Sequence, residues 1–509
     1  MAAGSTSFRS SLTAVCTLVG LLTFAVAALA IDARATYGAR VTADEPQYLT
    51  TALSLAEDFD LDISDEIEEE AFLPYHEIRL NQQTIDLNDD GQRISPHDPL
   101  LPLLLAPAMG VGGWVGAKLM LAALGGLAAA LTTWLAVRRF GVSTSTAALV
   151  VGAFFCAPPL TSYGTQVYPE LPAALAVVIG VIALTGDRRT TAANLVAILA
   201  IVALPWLAVK YVPVAAVLGI ALLFPYRRLH GDDRRTVALI TGVLALSGVI
   251  YLVVHQRIYG GWTVYAAGDH FVNGEFLVVG SNANYIGRTR RLVGLLIDRE
   301  FGLIPWTPSF LLALPAMVLA VRRPLPHRWL MLGLVGAGWA VATWVALTMH
   351  GWWWPGRQVV VILPLVVVAI AAAVDRRPWL RAATVIGTLL GTMSWLWLVW
   401  EASTDRRTLI VDFVDTTNPW YQAWSTLFPD QRSYGVTGGN LVITTLWTIG
   451  LLAVAAAVWR NTEPTGPADS AGVDEERDEP DQPAASSAVV DESPTDEAPT
   501  DDSASVSID

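Results

Sequence analysis

The sequence predicts an all-α fold, a polytopic transmembrane helical bundle of about twelve spans. Of its 509 residues, 53% are hydrophobic and only 15% are charged, whereas about 25% charged residues is usual in soluble domains. Several apolar runs reach the roughly 20 residues that a helix needs to cross a bilayer. Because a soluble fold has no use for so many such runs, we place residues 1–460 in one membrane domain.

The acidic net charge of −14 comes from the C-terminal tail. Residues 461–509 hold fifteen Asp and Glu and a single Arg, and the rest of the chain is balanced, with 31 basic and 31 acidic residues. The tail is rich in Asp, Glu, Pro, Ser and Ala, a composition that predicts disorder. We interpret it as a solvated cytoplasmic appendage, and it gives no indication of nucleic-acid binding.

The first span is predicted over residues 11–31. Ala28-Leu29-Ala30 resembles a signal-peptide cleavage site, but the segment before the span carries only Arg9 as a basic residue and the apolar run is long. We therefore predict an uncleaved first helix.

A long polar loop, residues 32–97, follows and holds sixteen Asp and Glu against four Arg. The positive-inside rule places such a loop outside the cytoplasm. Within it, 45–57 is predicted as an amphipathic interfacial helix, and 76–95 as a possible small hairpin. Residues 99–113 are apolar but short and interrupted by proline and glycine, which predicts a re-entrant or interfacial segment.

Further spans are predicted at 115–137, 144–162, 168–186, 191–207, 209–225, 236–255, 303–321, 329–349, 358–375, 382–400 and 440–459. Basic residues fall on every second connection, namely Arg138 with Arg139, Arg188 with Arg189, Arg227 with Arg228, Arg234 with Arg235, Arg322 with Arg323, Arg376 with Arg377, and Arg460. This alternation predicts that both termini are cytoplasmic and that 256–302 and 401–439 are further outer loops.

Two adjacent acids, Asp44 and Glu45, follow the first span on the outer side. A carboxylate at a membrane surface takes a proton from an acceptor hydroxyl or holds a metal or ammonium ion. The alternative is simple capping of the next helix, since its dipole favours anions there. Glu170 heads another span between Pro169 and Pro172, and the same two interpretations apply, because acids embedded in membranes are often functional.

Two basic residues also lie on the outer side. Lys210, in a turn between two apolar helices, either extends to the surface or neutralises a phosphate. Arg357 runs against the positive-inside trend and follows Pro355-Gly356, so it is a candidate phosphate ligand. The loop before span 303–321 is also unusually charged, which suits either a lipid phosphate or a solvated loop; its charged residues are Arg288, Arg290, Arg291, Arg299 and Glu300.

The sequence gives little support for other common types of binding site. The run 86–91 matches the first half of a calcium loop, D-x-N-x-D-G, but His97 stands where the bidentate Glu belongs, so a turn explains it. Cys16 and Cys156 both lie in predicted spans, which disfavours a disulfide or a cysteine-ligated metal. No glycine-rich phosphate loop and no zinc-type His pair occurs in the sequence.

Five segments, in this order and on one side, resemble the GT-C superfamily of integral membrane glycosyltransferases, in particular the protein O-mannosyltransferase and lipid A aminoarabinose transferase branch. They are Asp44-Glu45-Pro46-Gln47-Tyr48, residues 91–107, Tyr168-Pro169-Glu170, residues 298–308 and residues 351–357. The resemblance covers roughly residues 10–460.

The resemblance implies an enzyme that takes a sugar from a polyprenyl-phosphate carrier and usually inverts the anomeric centre. It implies that Asp44 is the general base with Glu45 beside it, that Glu170 supports the acceptor or a metal, and that Lys210 and Arg357 bind the donor phosphate. Further candidates are His97, Asp98, Tyr168, Glu300 and His350. Some members use a divalent metal ion and others do not, so no metal is assigned.

This sequence departs from the family's pattern in two places. His97-Asp98-Pro99 stands where many members have an aromatic residue and two prolines, and the acidic tail stands where others have a soluble sugar-binding domain. The sugar stays open, and so does the acceptor, a protein, a lipid or a cell-wall glycan. A transporter or flippase of lipid-linked sugars is the alternative, although such folds usually show half-chain repeats and none is evident here. A structural scaffold would leave the outer charged residues unexplained.

Overall fold

A computed structural model describes residues 2–80, 83, 91–186, 190–227, 232–267, 284–323, 325–431 and 438–463. The chain divides into two units, Met1–Glu463 and Pro464–Asp509. The second unit, and with it the predicted disorder of the tail, lies outside the described residues.

The described chain is helical. Its α-helices are α1 (Ala2–Ala28), α2 (Glu45–Glu57), α3 (Ser64–Glu68), α4 (Leu100–Phe140), α5 (Thr144–Phe155), α6 (Glu170–Leu184), α7 (Thr191–Leu207), α8 (Val212–Leu223), α9 (Asp232–Tyr259), α10 (Tyr285–Arg288), α11 (Arg291–Ile297), α12 (Leu303–Trp306), α13 (Ala313–Arg322), α14 (Arg328–Ala340), α15 (Leu363–Arg376), α16 (Leu380–Ser403), α17 (Pro419–Ser425) and α18 (Gly438–Arg460). Short 3₁₀ segments precede α8 and α15, at Val209–Tyr211 and Arg357–Ile362.

Among the described residues, eight helical segments are long and apolar enough to cross a membrane: Ser11–Ala28, Leu100–Phe140, Val209–Tyr226, Arg234–Ala266, Arg328–Val345, Arg357–Arg376, Leu380–Ser403 and Gly438–Arg460. Four shorter apolar helices, Thr144–Phe155, Glu170–Leu184, Thr191–Leu207 and Pro308–Arg322, fall at the remaining predicted spans. The predicted all-α, multi-pass membrane fold is therefore confirmed, and the number of twelve spans stays a prediction.

Helix α4 contains the break that the sequence predicts between segment 99–113 and span 115–137. Gly113 has φ 59° and ψ −158°, a backbone conformation that ends one helix and starts the next. The two halves then touch, since a Cβ on Gly116 would lie 2.3 Å from the carbonyl oxygen of Ala108. The first half is a helix, and whether it is re-entrant stays a prediction.

The predicted hairpin at 76–95 is described only at its ends, because 81–82 and 84–90 lie outside the described residues. Those ends bridge to other segments, His76 to Ala39 and Ile94 to Asp62. They fold the outer loop back onto the approach to α2 and onto the segment that follows it.

Two central helices, α6 and α15, place the site. Nearly all residues of α6 are buried, and every residue from Leu363 to Val374 of α15 is buried. A helix that is apolar all round belongs in the interior of a bundle. Both helices begin with a charged group at one end, Glu170 on α6 and Arg357 in the 3₁₀ segment that leads into α15. The fold therefore fixes these two charges on rigid, buried supports.

Candidate active site

Asp44 precedes α2 but does not cap it with a side-chain hydrogen bond. Its Oδ2 accepts a hydrogen bond from the guanidinium of Arg357 at 3.0 Å, and its Oδ1 accepts one from Nε2 of Gln83 at 3.1 Å. The side chain is 23% exposed. Asp44 thus stands at the N-cap position of α2 without a side-chain capping bond, at the edge of a polar cluster, and its catalytic role stays a prediction.

Arg357 joins two carboxylates that are far apart in sequence. Its Nε donates to Oε1 of Glu170 at 2.8 Å, while a terminal nitrogen donates to Asp44. The guanidinium plane lies 3.9 Å from the ring centroid of Tyr168, which adds a cation–π contact. Gly356 turns the chain before it with φ +84°, a conformation that disfavours any residue with a Cβ. The Arg357 side chain is thus held from three sides.

Glu170 is fully buried, and its Oε1 accepts hydrogen bonds from both Arg357 and Lys210, each at 2.8 Å. Within the described part of the chain its Oε2 has no hydrogen-bond partner. The carboxylate is therefore paired with two side-chain cations, and its functional role stays a prediction.

Lys210 turns inward rather than toward the surface. Its Nζ donates to Glu170 at 2.8 Å and to Oε1 of Gln358 at 3.1 Å, and the side chain is only 14% exposed. The interpretation as a lysine that extends to the membrane surface is therefore wrong. Asp44, Arg357, Glu170 and Lys210 form one continuous network of alternating charge, which we call the Arg357 network.

Glu45 lies beside this network but faces the protein interior. It is 1% exposed, and its two oxygens accept backbone hydrogen bonds from Val167 at 2.8 Å and Thr42 at 3.3 Å. The first bond ties α2 to the segment that carries Tyr168 and Glu170. The structure thus gives Glu45 a positioning contact, and its predicted catalytic part stays a prediction.

The two neighbouring carboxyls have opposite pKa shifts. Burial raises the pKa of Asp44, but the charges of Arg357 and His97 and the hydrogen bond from Gln83 outweigh it and lower the pKa to about 2. Burial raises the pKa of Glu45 to about 7, and the nearby Lys118 only partly offsets this. At neutral pH Asp44 is therefore a carboxylate, while the pKa of Glu45 is shifted toward neutral pH.

The adjacent residues His97 and Asp98 point to different partners. His97 stacks on Tyr48 with 4.5 Å between ring centroids, and its Nε2 lies 2.7 Å from Oε1 of Gln83, which in turn holds Asp44. His97 therefore belongs to the surroundings of the network.

Asp98 instead joins the segment that directly precedes α4 to two other helical segments. Its Oδ1 accepts hydrogen bonds from Tyr251 and His255, each at 3.0 Å, and its Oδ2 accepts one from the backbone of Val209 at 3.1 Å. Since Val209 precedes Lys210, Asp98 acts on the network by fixing that turn.

Glu300 and His350 belong to a second polar cluster, around the buried Asp298. Nε2 of His350 lies 3.5 Å from Oδ1 of Asp298, which accepts hydrogen bonds from the backbone of Glu300 and Phe301. Oδ2 of Asp298 accepts one from the backbone of Gln431. The cluster fixes two predicted outer loops to each other, and the structure does not bring Glu300 and His350 into the Arg357 network.

Three of the outer-loop arginines are engaged with backbone carbonyls. Arg288 donates to Trp344 and Ala346, Arg291 donates to Ala346, and Arg299 donates to Phe428. These bonds satisfy backbone carbonyl oxygens at the end of one helical segment and in the loop that contains Phe428. They give the three side chains a structural role, while the phosphate-binding alternative for this loop stays a prediction.

Sequence reasoning missed three polar partners, Gln83, Gln358 and Lys118. Lys118 is 3% exposed and donates to the carbonyl oxygens of Arg40 and Ile31 at 2.8 and 3.3 Å. A single lysine inside an apolar span is a recognisable signal of function or of a buried partner. Gln83 carries no such signal, because only the tertiary fold brings it to Asp44.

The carboxylates of the network are paired with Arg357, Lys210 and the side-chain amide of Gln83. Within the described residues, Oε2 of Glu170 is the carboxylate oxygen of the network that lacks a hydrogen-bond partner. A divalent metal at this site would find its free carboxylate oxygen on Glu170 and would compete with Arg357 and Lys210, and a metal role for Glu170 stays a prediction.

No family model matches the sequence, and no curated protein matches it. Among solved structures, the chain is similar to ArnT from Cupriavidus metallidurans bound to undecaprenyl phosphate, at 15% identity over 87% of this chain and 72% of that chain, with a TM-score of 0.46. The apo state of the same protein is similar at 15% identity over 90% of this chain and 74% of that chain, also with a TM-score of 0.46.

Proposed function

We propose that this protein is a glycosyltransferase that moves a sugar from a polyprenyl-phosphate donor to an acceptor hydroxyl on the extracytoplasmic face of the membrane. The observation that carries the proposal is the Arg357 network. It gathers two cations and two carboxylates, drawn from four separate segments, at the end of buried helices. The arginine distribution along the chain supports the outer side for this end.

The two cations suit a phosphate. The planar guanidinium of Arg357 matches two phosphate oxygens, and the ammonium of Lys210 adds a point charge beside it. In the free protein, Asp44 and Glu170 neutralise both cations. A donor phosphate would therefore replace a carboxylate as their partner and would not meet isolated charges. The five segments that resemble GT-C enzymes include Asp44, Glu170 and Arg357, which gives the same assignment independently.

The proposed reaction is a single displacement. The acceptor oxygen forms a bond to the anomeric carbon, while the bond from that carbon to the phosphate oxygen breaks and its electron pair stays on the phosphate. Asp44 takes the proton from the acceptor hydroxyl. Its low pKa keeps it deprotonated, and its partly exposed side chain leaves it accessible. Attack opposite the leaving phosphate inverts the anomeric centre.

The test is a complementation experiment with Asp44→Asn. The gene is deleted and restored as wild type, as Asp44→Asn or as Glu57→Gln, and the cell-envelope glycans are profiled by mass spectrometry at equal membrane levels of the protein. Glu57 is an exposed acid at the opposite end of α2 and serves as the matched control. We expect a glycan that disappears on deletion and returns with wild type and Glu57→Gln but not with Asp44→Asn.

The outcome separates the enzyme from the transporter. If Asp44→Asn restores the glycan fully, no proton is taken by Asp44, and the transporter or flippase alternative replaces the enzyme. The mass that is missing after deletion identifies the sugar class, and the glycan that lacks it identifies the acceptor.

A further inference from the structure

A second concentration of charge lies at the far end of α2, away from the Arg357 network. Residues 57–70 hold nine Asp and Glu, and the sequence has no lysine or arginine between Arg40 and Arg79. These negative charges repel one another unless protons, hydrogen bonds or cations compensate them.

Two of these acids are satisfied by hydrogen bonds. Oδ1 of Asp60 accepts from the hydroxyl of Ser54 at 2.9 Å and from the backbone of Asp62 at 3.0 Å. Oδ1 of Asp62 accepts from the hydroxyl of Ser64 at 2.6 Å and from the backbone of Arg93 at 2.8 Å. They shape the loop between α2 and α3 and are not available to a ligand through those oxygens.

Three other acids converge on one another. Asp58, Asp65 and Glu66 each place one carboxylate oxygen within 4.8 Å of the others. Asp58 and Asp65 are exposed, whereas Glu66 is only 3% exposed. In the part of the chain that the structure describes, neither carboxylate oxygen of Glu66 accepts a hydrogen bond from a donor group. A buried carboxylate with no donor facing it is costly, so something must compensate its charge.

We propose that Asp58, Asp65 and Glu66 bind a hard divalent cation of the Ca²⁺ class. An all-oxygen, all-carboxylate set is the donor chemistry that such ions prefer, and Ca²⁺ accepts the irregular geometry and water ligands of a loop site. Asp58 directly follows α2, and Asp65 and Glu66 lie in α3. The ion would therefore fasten the end of α2 to α3 in the outer loop.

The competing explanation is a proton. Burial raises the pKa of Glu66 to about 8, so without a cation Glu66 would be protonated at neutral pH beside Asp65. The two explanations differ in their response to calcium, because a protonated Glu66 needs no ion and gains nothing from one.

The test measures Ca²⁺ binding to the full-length protein in detergent micelles, after treatment with EDTA and removal of the chelator. Calorimetric titration with CaCl₂ is compared for wild type, for Asp58→Asn with Asp65→Asn, and for Glu68→Gln with Glu69→Gln. The control pair removes the same charge from exposed neighbours outside the triad. We expect a wild-type Kd on the order of 10⁻⁴ to 10⁻³ M, typical of extracellular sites. The control should keep it, and the Asp58 and Asp65 variant should weaken it by about tenfold or more.

Thermal unfolding of the Glu66→Gln variant tests the site independently of any calcium that the acidic tail binds. Calcium at millimolar concentration should raise the unfolding midpoint of wild type and of the control pair but not that of Glu66→Gln. The neutral glutamine should itself fold at least as well as wild type without calcium. The proposal is overturned if wild type shows no calcium-dependent rise, or if the variant and control pairs bind calcium equally. None of these readouts depends on glycosyl transfer, so the two proposals stand or fall separately.

Discussion

Replacing Arg357 by glutamine should destabilise the protein strongly, because it leaves a buried carboxylate with half of its compensation. Glu170 is 0% exposed and takes one of its two charged hydrogen bonds from Arg357. Asp44 loses its contact as well. Lys210 remains on Glu170, so the buried charge is not wholly unpaired.

The magnitude follows from these contacts. Each of the two hydrogen bonds from Arg357 to a carboxylate contributes about 1.5–3 kcal/mol, and removing one partner of a buried ion pair typically costs about 3–5 kcal/mol. We therefore expect Arg357→Gln to lower the free energy of unfolding by about 3–5 kcal/mol. Glu170→Gln in the same chain removes the buried charge itself. The double variant should then cost less than the sum of the single variants, with a coupling of about 1–3 kcal/mol.

The assay is a double-mutant cycle by SDS titration of the detergent-solubilised protein, with Arg290→Gln as control. Arg290 is an exposed arginine of an outer loop, so its loss should change stability by less than about 0.5 kcal/mol. If the effects of Arg357→Gln and Glu170→Gln simply add within about 0.5 kcal/mol, the two side chains are not coupled and the network as described is wrong.

Two further predictions concern the residues on either side of this network. The pKa of Glu45 in the folded state is raised to about 7. Between the ordinary pKa of a glutamate and this value, the folded state keeps a proton that the unfolded state releases. The resulting contribution to the free energy of unfolding, about 3 kcal/mol, is present below about pH 4 and is lost as the pH rises to about 7. Glu45→Gln should therefore flatten the pH dependence of the unfolding midpoint between pH 4 and 7, and an unchanged slope would contradict the assignment. Gly356→Ala should cost about 1–2 kcal/mol from its φ of +84° alone. The new Cβ would also lie 2.8 Å from Leu303, so a thermal midpoint equal to that of wild type would refute the strained turn before Arg357.

The sequence could predict the helices, because they depend on local composition, whereas the sidedness of the charged residues stays a prediction. Lys210 and Arg357 stood out as cations on the predicted outer side, which the positive-inside trend disfavours, and both lie in one network, with Arg357 buried and Lys210 14% exposed. The break near residue 113 was readable from glycine and proline. These signals survive because membrane helices follow hydropathy closely.

The pairing within the site could not be read from the sequence. Asp44 and Arg357 are 313 residues apart, and their contact depends on how α2 and α15 are packed. His97 and Asp98 are neighbours with similar signals, yet one joins the network through Gln83 and the other fixes the turn at Val209. A local pattern identifies charged residues whose burial is energetically costly. Only the tertiary structure decides which partner compensates each buried charge.

The pairing of the cations also bears on the proposed chemistry. In the free protein, Asp44 and Glu170 neutralise Arg357 and Lys210, which avoids the several kcal/mol that isolated buried cations would cost. The phosphate of a sugar-linked donor carries one negative charge, and the lipid phosphate that leaves approaches two, since its second pKa is about 6. If the proposed function holds, the cations would attract the departing phosphate more strongly than the intact donor, and such a difference is what accelerates a reaction. A prepaired network would then let the same two side chains stabilise the fold before the donor arrives and the leaving group during transfer.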